Sequence, residues 1–89
     1  MNAKWLALAA DMLDLAADEY GNHGCNDYNY PKDWTEGERR EFALAMQADN
    51  VSKPVGELTP EEIEEAEYDV DGTQDWAVMR FLASELRKA

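Results

Sequence analysis

Apolar residues recur at three- and four-residue spacing along most of the chain, which predicts an all-α fold of about four helices. The first helix is predicted over residues 3–20, with Gly21 and Gly24 as its stop. One face of this helix carries Lys4, Ala7, Asp11, Asp14 and Asp18 and is its polar face. The opposite, inward arc is expected to hold Trp5, Leu6, Leu8, Ala9, Met12, Leu13, Ala16 and Tyr20.

Two capping boxes predict the starts of the next two helices. Thr35 with Glu38 opens the second, and Thr59 with Glu62 opens the third, which has Pro60 at its first position. The third helix is short and is expected to end near residue 68. The expected inward residues are Phe42, Ala45 and Met46 in the second helix and Ile63, Ala66 and Tyr68 in the third.

A long connection over residues 21–34 follows the first helix, and we expect Tyr28, Tyr30 and Trp34 to pin this aromatic-rich loop to the core. A turn at residues 71–73 precedes a fourth helix over residues 74–88. Its inward face is expected to hold Trp76, Met79, Leu82, Ala83 and Leu86, with Val78 and Phe81 beside it. Residues 1–89 together are predicted to form a single acidic helical domain.

Charge narrows the range of functions. Twenty acidic residues against eight basic ones give a formal net charge of −12. A field of this sign repels nucleic acid and anionic membranes and attracts basic protein surfaces. We therefore expect no direct nucleic-acid or membrane binding, and a protein partner that itself holds nucleic acid.

The acidic residues are concentrated in the third quarter of the chain, with no Lys or Arg between Lys53 and Arg80. Residues 57–75 carry nine of these carboxylates. If they formed one helix, these 19 residues would span about 28 Å. One charge per roughly 3 Å would then approach the axial phosphate spacing of a DNA strand. A hydrated surface that keeps the protein soluble is the competing interpretation. The expected partner-binding residues are Glu57, Glu61, Glu62, Glu64, Glu65, Glu67, Asp69, Asp71 and Asp75, with a second stripe of Asp11, Asp14 and Asp18.

A calcium-binding loop is a weaker interpretation of the same stretch. Glu67, Asp69, Asp71, Gly72 and Asp75 occupy positions 1, 3, 5, 6 and 9 of an EF-hand loop. Position 12, which must be a bidentate glutamate, is Val78. We therefore expect no specific metal site and no cofactor.

His23 and Cys25 form a second candidate for chemistry. They could be a thiolate–imidazole pair, but zinc would need further His or Cys ligands, and the chain has none. A structural loop with Cys25 as a small apolar group is the favoured interpretation. The protein is therefore expected not to be an enzyme. The lone cysteine and the lack of a leader or a long apolar run predict a reducing cytoplasm.

Two segments carry a resemblance. The block Asn22–Asp27 after an N-terminal helix, together with Trp76–Ala83 near the C-terminus, resembles small phage and prophage proteins. That resemblance implies a mobile-element origin, and small acidic proteins of that origin often look like anti-CRISPR inhibitors. Together with the acidic run, this origin leads us to expect an inhibitor of a type I CRISPR effector in the cytoplasm of a bacterial host, as a monomer or a dimer. The alternative is a regulatory interaction module that binds through the aromatic loop and tolerates salt.

Overall fold

The computed structural model describes residues 2–23 and 27–89. Within them the chain forms four α-helices, α1 (Ala3–His23), α2 (Glu36–Asn50), α3 (Pro60–Glu67) and α4 (Asp75–Lys88), and a short 3₁₀ turn at Val55–Glu57. Two strands of two residues each, β1 (Asp27–Tyr28) and β2 (Thr73–Gln74), pair with one another. The all-α prediction is confirmed, and this small strand pair is an addition to it.

Contacts divide the chain into two compact units. The first, the terminal unit, comprises Met1–Asn26 and Gln74–Ala89, and the second, the central unit, comprises Asp27–Thr73. The central unit has fourteen acidic and four basic residues, a net charge of −10, whereas the terminal unit has six acidic and four basic residues, a net charge of −2. Nearly all of the excess negative charge therefore belongs to the central unit.

Small residues mediate the packing of α1 on α4 in the terminal unit. Ala10 and Ala17 of α1 and Ala83 of α4 are completely buried. Because alanine side chains are short, the two helix backbones can approach closely along this seam. Asn2 begins α1, since its side-chain Oδ1 accepts a hydrogen bond of 2.7 Å from the backbone N–H of Lys4.

The predicted inward arc of α1 is wrong for its largest members. Trp5, Leu8, Met12 and Tyr20 are exposed. The helix instead turns its alanines towards α4, because the aspartates bordering that side reach arginines of α4. The larger apolar side chains are thereby left on the far side of α1.

The predicted end of α1 is also wrong, because the helix continues through Gly21 to His23. A glycine within a helix costs about 1 kcal/mol relative to alanine, which weakens a helix without ending it. Gly24, the other predicted stop, lies outside the described residues.

In the central unit, α2 packs on α3 around a core of Ala43, Ala66 and Val70, with Leu44 against it. Both predicted capping boxes are confirmed. The Thr59 Oγ1 accepts the backbone N–H of Glu62 at 3.2 Å, and the Glu62 carboxylate accepts the backbone N–H of Thr59 at 2.9 Å. The reciprocal pair at the start of α2 measures 3.1 and 3.0 Å.

Three residues expected to point inward are exposed instead: Ile63, Tyr68 and Leu82. In α3 the buried position is Ala66, and the helix ends at Glu67, so Tyr68 lies beyond the last buried turn. In α4 the buried positions are Phe81 and Ala83. The eight-residue α3 thus buries a single position, while the other predicted inward residues of α4, Trp76, Met79 and Leu86, are partly buried.

The aromatic loop is pinned as the sequence predicts. The rings of Tyr30 and Trp34 stack with their centroids 5.6 Å apart, and both meet Phe42 of α2 edge-on. The hydroxyl of Tyr30 donates a hydrogen bond of 2.7 Å to the backbone carbonyl of Asp69. Burial, with smaller contributions from neighbouring charges, raises the pKa of Tyr30 to about 12.

The turn after α3 has a glycine where the backbone lies close to the paired strand. A Cβ at Gly72 would lie 3.2 Å from the carbonyl oxygen of Tyr28 in the paired strand. Because the two backbones are so close, a larger residue at position 72 would need the neighbouring strand to shift by a few tenths of an ångström. No helix among the described residues combines the length and the apolarity needed to cross a bilayer.

Candidate partner-binding surface

The twelve carboxylates predicted to bind a partner do not form one run of equivalent groups. Eight of them belong to the central unit, and Asp75 and the three aspartates of α1 belong to the terminal unit. Within each unit the structure separates carboxylates that are paired with a base from those that are not.

Three unpaired carboxylates share the solvent side of α3. Glu61, Glu64 and Glu65 follow one another at the three- and four-residue spacing that places side chains on one helix face, and all three are exposed. Among the described residues, none of them takes part in an ion pair. Tyr68 continues the same face one turn on and is 77% exposed. We call these four residues the α3 acidic face.

Two other carboxylates of α3 are neutralised within the fold. Glu62 accepts a hydrogen bond of 2.8 Å from the Lys53 Nζ in addition to its role in the capping box. Glu67 receives two hydrogen bonds from the Arg40 guanidinium, at 2.8 and 3.1 Å. The hydrogen bond from Lys53 lowers the pKa of Glu62, and the one from Arg40 lowers the pKa of Glu67.

The remaining bases of the central unit do not compensate the α3 acidic face. Arg39 donates to the backbone carbonyls of Val70 and Trp34, each at 3.1 Å. Arg40 is shared between Glu67 and Glu36 of its own helix. None of these arginines therefore pairs with Glu61, Glu64 or Glu65.

Three further predicted residues of the central unit flank α3. Glu57 is exposed on the 3₁₀ turn before the helix, and Asp71 is exposed in the turn after it. Asp69 is half-buried, and burial raises its pKa while a hydrogen bond with the Thr73 side chain opposes that shift. Glu57 and Asp71 extend the negative surface, whereas Asp69 belongs to the structure of the turn.

The second predicted stripe is engaged with α4. Arg87 pairs with Asp14 at 2.7 Å and with Asp11 at 3.0 Å, and Arg80 pairs with Asp18. The hydrogen bond that Arg87 donates to Asp14, followed by the one that it donates to Asp11, raises the pKa of Arg87. These aspartates help to set the α1–α4 interface and offer little unpaired charge to a partner.

Asp75 begins α4, where its Oδ1 accepts the backbone N–H of Trp76 at 2.8 Å. It therefore serves the N-terminal turn of that helix, where a carboxylate is favoured by the helix dipole. The continuous helical rod that would match phosphate spacing does not exist, because α3 has only eight residues and is about 12 Å long.

Tyr68, expected to point inward, lies on this exposed surface instead. Its spacing from Glu61, Glu64 and Glu65 already puts it on their face, and that spacing should have outweighed its apolar ring. A tyrosine exposed among carboxylates offers a flat apolar surface and a hydroxyl to a cationic side chain.

Metal chemistry finds no support in the described part of the chain. Within residues 2–23 and 27–89 no group of three or more His, Cys, Asp or Glu side chains is arranged to hold a metal ion. Two residues of the calcium-loop interpretation have other roles, since Glu67 pairs with Arg40 and Asp75 begins α4. His23 is the last residue of α1, and Cys25 lies outside the described residues.

No family model, curated protein or solved structure matches this chain.

Proposed function

We propose that this protein is a phage-derived anti-defence inhibitor that occupies a basic nucleic-acid-binding groove of a host protein complex. A type I CRISPR effector is the target we would test first, in the cytoplasm of a bacterial host. The α3 acidic face makes the contact, and no catalytic step is needed. Such an inhibitor would exclude DNA by competing for the lysines and arginines that hold it.

One observation supports the proposal above the others. Glu61, Glu64 and Glu65 stand together on one exposed helix face, without a neutralising base, in a unit whose net charge is −10. Like charges at these spacings destabilise a helix by about 0.2–0.5 kcal/mol per pair. A surface that only keeps the protein hydrated needs no such clustering. Binding of a cationic partner, in contrast, would offset the repulsion between these glutamates.

The mode of competition differs from imitation of a whole DNA strand. α3 presents three carboxylates within about 6 Å of helix axis, with Glu57 before it and Asp71 after it. This compact cluster suits a groove in which a few arginines and lysines converge. Any resemblance to DNA is therefore confined to a local group of negative charges.

The alternative, binding through the aromatic loop, has less support. Tyr30 is buried, and its ring is stacked on Trp34 and in contact with Tyr28 and Phe42. Rings that pack on one another hold the loop in place and leave little apolar area for a partner.

A charge-reversal experiment tests the proposal. The triple variant E61K/E64K/E65K should lose inhibition of DNA binding by the effector, because the contact surface would carry the sign of its target. Since all three side chains are exposed, the helical content measured by circular dichroism should remain that of the wild type.

The matched control reverses three exposed carboxylates on other elements of the same unit. D27K/D33K/E41K makes the same change in net charge, and it should keep most of the inhibition. If both triple variants lose inhibition equally, net charge rather than the α3 acidic face governs binding. If E61K/E64K/E65K inhibits as well as the wild type, the α3 acidic face is not the binding site.

A further inference from the structure

A second exposed surface lies on α1 and is apolar. Trp5, Leu8, Met12 and Leu15 are between 59% and 64% exposed, although each is a residue type usually found in a core. Their spacing of three, four and three residues places them in one stripe on the side of α1 away from its buried alanines. We call these four residues the α1 apolar stripe.

The stripe has the repeat of a coiled-coil seam. Trp5 and Met12 are seven residues apart, as are Leu8 and Leu15, which makes them successive a and d positions of a heptad. Ala9 and Ala16 lie beside the seam and are small enough to let another helix approach. Within the described residues no element of the chain covers the stripe.

We propose that the α1 apolar stripe is a homodimer interface in which α1 of a second copy packs antiparallel against it. In this arrangement residues whose numbers add up to about 20 face each other across the seam. Trp5 then meets Leu15 of the second copy, and Leu8 meets its Met12. The pattern therefore matches its own reverse, as a two-fold axis requires.

Charge at the edge of the stripe selects the antiparallel direction. Lys4 is exposed, and no ion pair of its side chain occurs among the described residues, while Asp18 lies on the same edge of α1 about four turns away. Antiparallel pairing brings Lys4 of each copy near Asp18 of the other, twice per dimer, where Lys4 would join the ion pair that Asp18 already makes with Arg80 of its own chain. In a parallel dimer Lys4 would face Ala9, and no opposite charges would meet.

The charge distribution of the chain permits this self-association. The stripe belongs to the terminal unit, whose net charge is −2, and not to the central unit, whose net charge is −10. Two copies can therefore meet through the part of the chain that repels least. A strongly acidic or strongly cationic partner would find no opposite charge among the four residues of the α1 apolar stripe.

The available area indicates a reversible dimer. Four side chains of about 200 Å² each, roughly 60% exposed, offer on the order of 500 Å² of apolar surface per copy. Pairing two such surfaces would bury about 1,000 Å², near the lower limit for a specific interface. Association should therefore depend on concentration over the micromolar range.

Sedimentation velocity over a concentration series tests the proposal. The wild type should shift from the monomer mass of 10.1 kDa towards twice that mass as concentration rises. L8Q/M12Q should weaken association roughly tenfold or more, because polar groups replace the centre of the seam. The control V55Q/L82Q changes two exposed apolar residues outside the stripe and should dimerise as the wild type does.

Disulfide trapping then tests the direction. In a Cys25→Ser background, a mixture of the Trp5→Cys and Leu15→Cys proteins should cross-link, whereas neither protein alone should. Parallel helices would give the reverse result, since positions 5 and 5 would then be in register instead of about 15 Å apart along the axis. Cross-linking of either protein alone, or a wild type that stays monomeric at every concentration, would overturn the proposal.

Discussion

Replacing Glu64 and Glu65 with glutamine should stabilise the protein in low salt. Each of these residues stands on the same face of α3 as Glu61, three and four positions away, and no base compensates any of the three. Glu61 itself is left unchanged, because its place in the first turn of α3 favours a negative charge. The double variant E64Q/E65Q therefore removes both like-charge pairs with Glu61, and also the smaller repulsion between Glu65 and Asp69, without disturbing the start of the helix.

The magnitude follows from the two pairs removed. At about 0.2–0.5 kcal/mol each, the free energy of unfolding should rise by about 0.4–1 kcal/mol. For a chain of this size that gain raises the melting temperature by roughly 2–8 °C. The effect should largely disappear in 0.5 M salt, because exposed charges are then screened.

Thermal unfolding followed by circular dichroism at low and high salt measures this change. Glu67→Gln is the matched control, since it makes the same substitution on the same helix but breaks the pair of hydrogen bonds with Arg40. It should lower the melting temperature. If E64Q/E65Q is less stable than the wild type, or if its gain persists in high salt, the α3 acidic face is not electrostatically strained as we argue.

Four further predictions concern the fold. Alkaline titration of tyrosine absorbance should show one group with a pKa near 12, and Tyr30→Phe should remove it. Ser52 has a φ of 56° after α2, so Ser52→Gly should raise the free energy of unfolding by about 1 kcal/mol in urea denaturation. Ala17→Leu should lower it by about 1–3 kcal/mol in the same assay, since that position is completely buried against α4. Below pH 4.5 stability should fall, because unfolded glutamates take up protons that Glu67 and Glu62 resist in the folded state; a stability profile against pH should be shallower for Glu67→Gln.

Local features of the fold were predictable from the sequence. A capping box needs only residues within four positions of one another to satisfy the first backbone N–H groups of a helix. The structure has both predicted boxes, Thr35 with Glu38 and Thr59 with Glu62. The aromatic loop was predictable for a related reason, because Tyr30 and Trp34 are too large to remain in solvent together.

Features that depend on distant partners were not predictable. α1 is apolar on two sides, and only the approach of α4, with arginines for its aspartates, determines which side is buried. The neutralisation of Glu67 by Arg40 joins positions 27 apart in sequence. Charge counting alone therefore overestimated the candidate site, because it could not distinguish paired from unpaired carboxylates.

Competition for DNA tests the proposed function most directly. Fluorescently labelled target DNA bound to a purified type I CRISPR effector at 50 mM salt should be displaced by the wild-type protein, with a fall in anisotropy. Titration with E61K/E64K/E65K should leave the DNA in place. If the wild type releases no DNA at saturating concentration, or if the reversed variant releases it equally well, the proposed role of the α3 acidic face is wrong.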